Sequence, residues 1–190
     1  MRQAAAHVPG EAELWIFIFA DMLLFGLFFA IWGWQHATEP ELFAWGAAQM
    51  NRTLGLANTL VLITSSAAVA AGLAQARQGR PASRAYLAAA ILGAVFVVLK
   101  VVEYSGHIAA GADPRTSAYF MYYFVFTGIH LLHVLIGIVA LLFVAQRCHR
   151  LEPGRAADAA DLVLLEGAGV FWHLVDVLWI VLFFAIYLAR

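Results

Sequence analysis

The stretch Tyr119 to Val144, YFMYYFVFTGIHLLHVLIGIVALLFV, limits what this chain can become more than any other. Its 26 residues include no Asp, Glu, Lys or Arg, and about 20 apolar residues suffice to cross the hydrocarbon of a bilayer. It reads as a membrane-spanning helix. Two histidines, His130 and His133, interrupt it near the middle. Imidazoles at that depth are costly against lipid and are expected to face protein or water.

The rest of the chain agrees. Hydrophobic residues make up 64% of the 190 and charged ones 12%, against about 25% charged in soluble domains. A net charge of −1 gives no general attraction to nucleic acid, and no Gly-rich phosphate loop is present. The single cysteine, Cys148, can form neither an internal disulfide nor a multi-cysteine metal site.

Four further spans flank the first. They are expected at about 14–34, 53–75, 85–107 and 165–188, with the opening stretch extended to 118–146 as the fourth of five. The first run is too long for a signal peptide core and follows Glu11 and Glu13, so it is expected to remain as a span. It is densely aromatic, with Trp15, Trp32 and Trp34 near its ends where interfaces favour indoles. The second is rich in Ser, Thr, Ala and Gly, which allow close helix approach. Between these two, a short interfacial turn is expected around Phe43–Met50. A longer polar loop is expected over Gln146–Glu166.

The fold class is thus all-α, a polytopic bundle of five transmembrane helices forming one membrane domain over residues 1–190. With the N-terminus inside, Arg2, Arg77, Arg80, Arg84, Arg147, Arg150 and Arg155 lie on the cytoplasmic side. Arg52, Arg115 and Arg190 then lie outside. That asymmetry favours a cytoplasmic N-terminus and a periplasmic C-terminus.

Several polar groups fall inside the spans: Asp21, Lys100 with Glu103, His130 with His133, His173 with Asp176, and Glu166 near the start of span five. Lys100, Glu103 and His107 share a helix face, as do His173 and Asp176. Lys100 and Glu103 can pair or snorkel towards the nearby helix end. Three readings compete for the whole set. The HxxH and HxxD pairs could bind a metal or haem, since imidazole and carboxylate suit zinc, iron or copper. The groups could line a proton or solute path. Or they could tie helices together, each buried group needing only a hydrogen-bond partner.

Five segments in order resemble subunit III of the haem-copper oxidases, the family of cytochrome c oxidase and the bo-type quinol oxidases. WIFIFADMLLFGLFFAIW (Trp15 to Trp32) resembles that family's helix with a buried carboxylate, Asp21 standing where many members have Glu. LANTLVLITSS (Leu56 to Ser66) is similar to its Asn-Thr-Ser-rich helix. VLKVVEY (Val98 to Tyr104), FTGIHLLHVLIG (Phe126 to Gly137) and FWHLVDVLWIVLFFAIYL (Phe171 to Leu188) resemble its three later helices. Many members have seven helices, so this chain resembles the short five-helix bacterial form. The wording of span four and Asp21 lean towards the offshoot associated with nitric oxide reductase.

The resemblance implies a non-catalytic subunit of the bacterial cytoplasmic membrane, holding no cofactor of its own. Haem and copper are expected in partner subunits. It implies packing on the catalytic subunit I, bound phospholipid, and support of proton uptake and turnover. Asp21 would be the buried carboxylate near the lipid cleft. Glu103, His130, His133, His173 and Asp176 would form an interhelical polar lock, tied chiefly to spans three and five. Trp15, Trp32 and Trp172 are expected to touch lipid or another subunit. The alternative is a free-standing metal- or haem-binding membrane enzyme using His130, His133, His173 and Asp176.

Overall fold

A computed structural model describes residues 10–150 and 157–189. Arg2, Arg155 and Arg190 of the charge count lie outside them. The elements are α1 (Ala12–Thr38), α2 (Pro40–Ala48), α3 (Arg52–Arg77), α4 (Ser83–Ala109), α5 (Ala118–His149) and α6 (Ala159–Phe183). A π-helical turn, Phe184–Leu188, continues α6. The five long helices are each long and apolar enough to cross a membrane.

Local chemistry sets the ends. Asn51 accepts from the Leu54 N–H and caps α3, Ser117 accepts from Phe120 to cap α5, and Asp158 accepts from Asp161 to cap α6. Gly79 and Gly111 take positive φ after α3 and α4. The residue after each sends a 6→1 bond back over the last turn, Arg80 N–H to the Gln75 carbonyl and Ala112 N–H to the His107 carbonyl.

Two expected loops are shorter than the sequence suggested. Residues 40–48 form a complete helix with Pro40 at its first position, where a missing N–H costs nothing. At the other site α6 starts at Ala159, not Leu165. Asp161, read as loop, and Glu166, read near the start of the span, are buried on the helix and paired with arginines.

α3, α4, α5 and α6 pack together around a core of large rings seated against small residues. Trp172 is fully buried, its indole lying against Gly93 of α4 and Gly137 of α5. Trp32 is buried too, among Phe43, Tyr119, Tyr122 and Phe126. Both therefore depart from the expected lipid or subunit contact, because each fills space between helices. Trp15 is 41% exposed. α1 lies against this unit through one stripe, Ile18, Asp21, Phe25 and Trp32, and leaves most of its surface open. Phe28 stacks on Phe126 at 4.9 Å, so aromatic faces hold α1 to α5.

A Cβ at position 137 or 93 would fall 2.5 or 2.7 Å from ring carbons of Trp172. Gly137→Ala and Gly93→Ala are each expected to destabilise the bundle by about 1–3 kcal/mol. The measurement is thermal unfolding in detergent; unchanged midpoints for both would mean the indole has room to move.

Candidate functional site

Asp21 and His133 meet between α1 and α5. Both are buried, and His133 Nε2 lies 3.1 Å from Asp21 Oδ1. His133 Nδ1 is 2.8 Å from the Ile129 carbonyl. A carbonyl only accepts, so Nδ1 must carry a hydrogen. One further proton then lies between Nε2 and the carboxyl. The pair is either carboxylic acid with neutral imidazole or carboxylate with imidazolium. Both states have zero net charge. Phe25 and Phe171 flank the imidazole at 5.6 and 6.5 Å between centroids.

Phe171 also lines a groove of about 400 Å³ between the start of α1, α5 and α6. Leu14, Ala140, Val163, Leu164 and Ala168 give it apolar walls, and Glu11 stands at one end. The groove and the Asp21–His133 pair are separated by one phenyl ring.

A second polar site lies towards the α2 end of the bundle. The Lys100 ammonium is fully buried. It donates to Glu103 Oε2 at 3.0 Å, to the Tyr187 hydroxyl at 3.1 Å and to the Tyr123 hydroxyl at 3.2 Å. The Tyr187 hydroxyl donates to Glu103 Oε1 at 2.6 Å. Rings of Tyr104, Tyr123, Trp179 and Tyr187 surround Nζ at 4.8–5.8 Å, a favourable setting for a desolvated cation. Lys100 does not snorkel. Nearby, the Thr127 hydroxyl donates to the Tyr123 carbonyl, so the Tyr104 hydroxyl donates to Thr127 at 2.6 Å.

The π-helical turn belongs to this site. It carries Tyr187, and its Ile186 carbonyl accepts from the Tyr119 hydroxyl at 2.7 Å. Sequence reasoning found Lys100 and Glu103 but missed Tyr123 and Tyr187. A usable signal existed: a tyrosine inside an apolar helix has a hydroxyl that needs a partner when buried.

The remaining expected site residues lie apart. His130 is fully buried, its ring near Trp179 at 5.4 Å and Phe96 at 5.7 Å, with neither nitrogen hydrogen-bonded. His173 Nδ1 bonds the Ser66 hydroxyl of α3. Asp176 is near enough to Ser66 to feel its hydroxyl, yet neither carboxylate oxygen has a well-formed hydrogen bond. So Glu103, His130, His133, His173 and Asp176 do not form one lock. Three positions along a helix are about 60° apart in azimuth; His130 turns to the α4 and α6 rings while His133 turns to α1. The tie of His133 to the first span replaces the expected tie to spans three and five. Nor do His130, His133, His173 and Asp176 converge. Among the described residues no three His, Cys, Asp or Glu side chains come together in an arrangement that could hold a metal.

At the arginine-rich end, Arg77 pairs with Glu166 at 2.7 Å and Arg147 with Asp161 at 2.6 Å. These pairs link α3 and α5 to α6.

Lys100→Met should destabilise the protein by about 3–5 kcal/mol, because it leaves Glu103 buried without its cation. The double variant Lys100→Met/Glu103→Gln should recover part of that loss. A double-mutant cycle on thermal unfolding checks this; no recovery would show that the aromatic cage, not the charge pair, dominates.

Comparison with known proteins bears on the whole chain. A family model described as cytochrome c oxidase subunit III matches residues 9–189. "Cytochrome c oxidase subunit 3" of Corynebacterium diphtheriae is 31% identical, covering 98% of this chain and 92% of that protein. The protein of the same name from Thermostichus vulcanus is 32% identical over 92% of this chain and 85% of its own length. "Probable quinol oxidase subunit 3" of Staphylococcus aureus is 28% identical over 92% and 86%.

Proposed function

This chain belongs to the cytochrome c oxidase subunit III family, and from that premise we propose that it is a non-catalytic accessory subunit of a respiratory haem-copper complex. It packs on the catalytic subunit in a bacterial cytoplasmic membrane, with the N-terminus cytoplasmic and the C-terminus periplasmic. Haem and copper are held by partner subunits. The names of the relatives, cytochrome c oxidase and quinol oxidase, support an oxygen-reducing partner. They add nothing for an association with nitric oxide reductase.

The observation that carries this reading is the Asp21–His133 pair beside the apolar groove, with Phe171 between them. The groove has the lining to take an acyl chain of a phospholipid. The pair keeps one proton at mid-membrane without net charge, so its proton can shift between acid and base without exposing an ion to lipid. A carboxyl held in this way supports proton uptake and durability during turnover while carrying no redox chemistry itself.

Purifying the native complex tests the reading. A haem-copper catalytic subunit should accompany this chain, and the isolated chain should be colourless. A Soret band or stoichiometric iron in the isolated chain would favour the membrane-enzyme alternative instead.

Asp21→Asn preserves a group able to donate to His133 Nε2 but removes the shared titratable proton. Assembly should be intact and the number of turnovers before inactivation severalfold lower. Progress curves measured across a pH series decide it; wild-type behaviour at every pH would make Asp21 a packing residue.

A further inference from the structure

Two turns of α6, about 10.5 Å of rise, separate Glu166 from His173. Between them, on the side facing α3, lies a hollow of about 110 Å³ whose lining includes Val69, Arg77, Glu166, Gly169 and His173. Its outer end is the Arg77–Glu166 pair at 2.7 Å, with Arg77 half exposed at the arginine-rich end of the bundle. Its inner end is His173, midway along the span Ala159–Leu188. A water takes about 30 Å³ of liquid volume, so the hollow has room for a short file of them with polar partners at both ends. Gly169 keeps the file open, because a Cβ there would lie 3.5 Å from Val69 Cγ1.

Beyond His173 the polar groups lead further into the chain. His173 Nδ1 meets the Ser66 hydroxyl at 2.5 Å, and Asp176, one turn on, lies beside the same hydroxyl. The Asp176 oxygens are enclosed, with no well-formed hydrogen bond to them. A bare carboxylate so placed at mid-membrane would be costly, so the group keeps its proton. Ser66 carries one hydrogen and two lone pairs, and it can accept from one neighbour while it donates to the other. The hydroxyl is therefore the way in and out for the Asp176 proton.

We infer that Asp176, Ser66 and His173 form a mid-membrane proton store that fills and empties through the hollow. In the loaded state Asp176 holds its O–H, Ser66 donates to His173 Nδ1, and the neutral imidazole carries its hydrogen on Nε2. On unloading, the Asp176 hydrogen passes to Ser66 as the Ser66 hydrogen passes to Nδ1, which makes carboxylate and imidazolium. The Nε2 hydrogen then leaves to water in the hollow and reaches the Arg77–Glu166 rim. One proton is lost, and the trio goes from zero net charge to −1. That charge is unfavourable at mid-membrane, so the store is full at rest. Refilling runs the same steps backwards. The store is separate from the Asp21–His133 pair, and it does not depend on the accessory-subunit reading.

Infrared spectroscopy of the full chain in lipid nanodiscs tests this, by following the C=O stretch of protonated carboxyl groups after transfer to D2O. Wild type should show a buried-acid band that is lost in Asp176→Asn. Asp176→Glu, which keeps a carboxyl, should move that band, so the assignment stands even where the Asn variant misfolds. His173→Phe should keep the band and slow its exchange about tenfold or more, because the imidazole that relays the proton is gone. Gly169→Ala should slow exchange in the same direction with His173 intact. Its methyl meets Val69 at an ordinary contact distance and closes the hollow without a clash. The Asp21 band, identified by its loss in Asp21→Asn, should exchange at the wild-type rate in both variants. No protonated band belonging to Asp176, or exchange as fast as wild type in both variants, would overturn the inference. Equal slowing of the Asp21 band would also overturn it, by showing a general tightening of the bundle in place of a path.

Discussion

Burying the Lys100 ammonium inside a lipid-spanning bundle is tolerable only because three oxygens and four rings close around it. Those groups come from α4, α5, α6 and the π-helical continuation of α6. Each must hold its rotation and depth for the cage to close. The charge pair therefore contributes register more than net stability. The neighbouring bonds, Tyr119 to Ile186 and Trp179 Nε1 to Thr59 at 3.0 Å, extend that register to the start of α5 and to α3.

The opposite end solves a related problem with water at hand. Arg77 and Arg147 are about half exposed, whereas Glu166 and Asp161 are buried. The cations reach from the rim and hold carboxylates that belong to α6. Thus α6 is tied by ion pairs at its start, by the Tyr187 hydroxyl at the far end and by rings between, and α3, α4 and α5 surround it. α1 is held differently, by stacked aromatics and a single proton-sharing pair. Such an attachment leaves an open apolar surface of the kind a complex covers with lipid or other subunits.

Much of this was legible in the sequence, for identifiable reasons. The five spans follow from runs of apolar residues whose length the bilayer dictates. Asp21, Lys100 and Glu103 stood out because charge is rare at that depth. Partners were less legible. His130 and His133 are three residues apart, and sequence spacing treats them as equivalents. Packing separates them, one among rings and one against α1. Trp172 read as a lipid or subunit contact; only the opposed Gly93 and Gly137 on two other helices reveal the slot it fills. Asp161 suggested a loop, and Glu166 had no evident tie, because their arginine partners lie 14 and 89 residues away. The wording of five motifs pointed to the family, but no wording indicates which hydroxyl meets which carboxylate.

The π-helical turn at Phe184–Leu188 has a consequence for how this helix can vary. A regular helix is a single gear: rotating one end rotates the other. The wider turn acts as a slipped tooth, so the portion before Phe183 can mesh with α3 while Tyr187 meshes independently with Glu103. Substitutions that re-seat α6 before the turn shift Trp179 against Lys100 but need not drag the Tyr187–Glu103 bond with them. Deleting one residue within the turn would restore a single gear, and the two meshings could no longer both be kept.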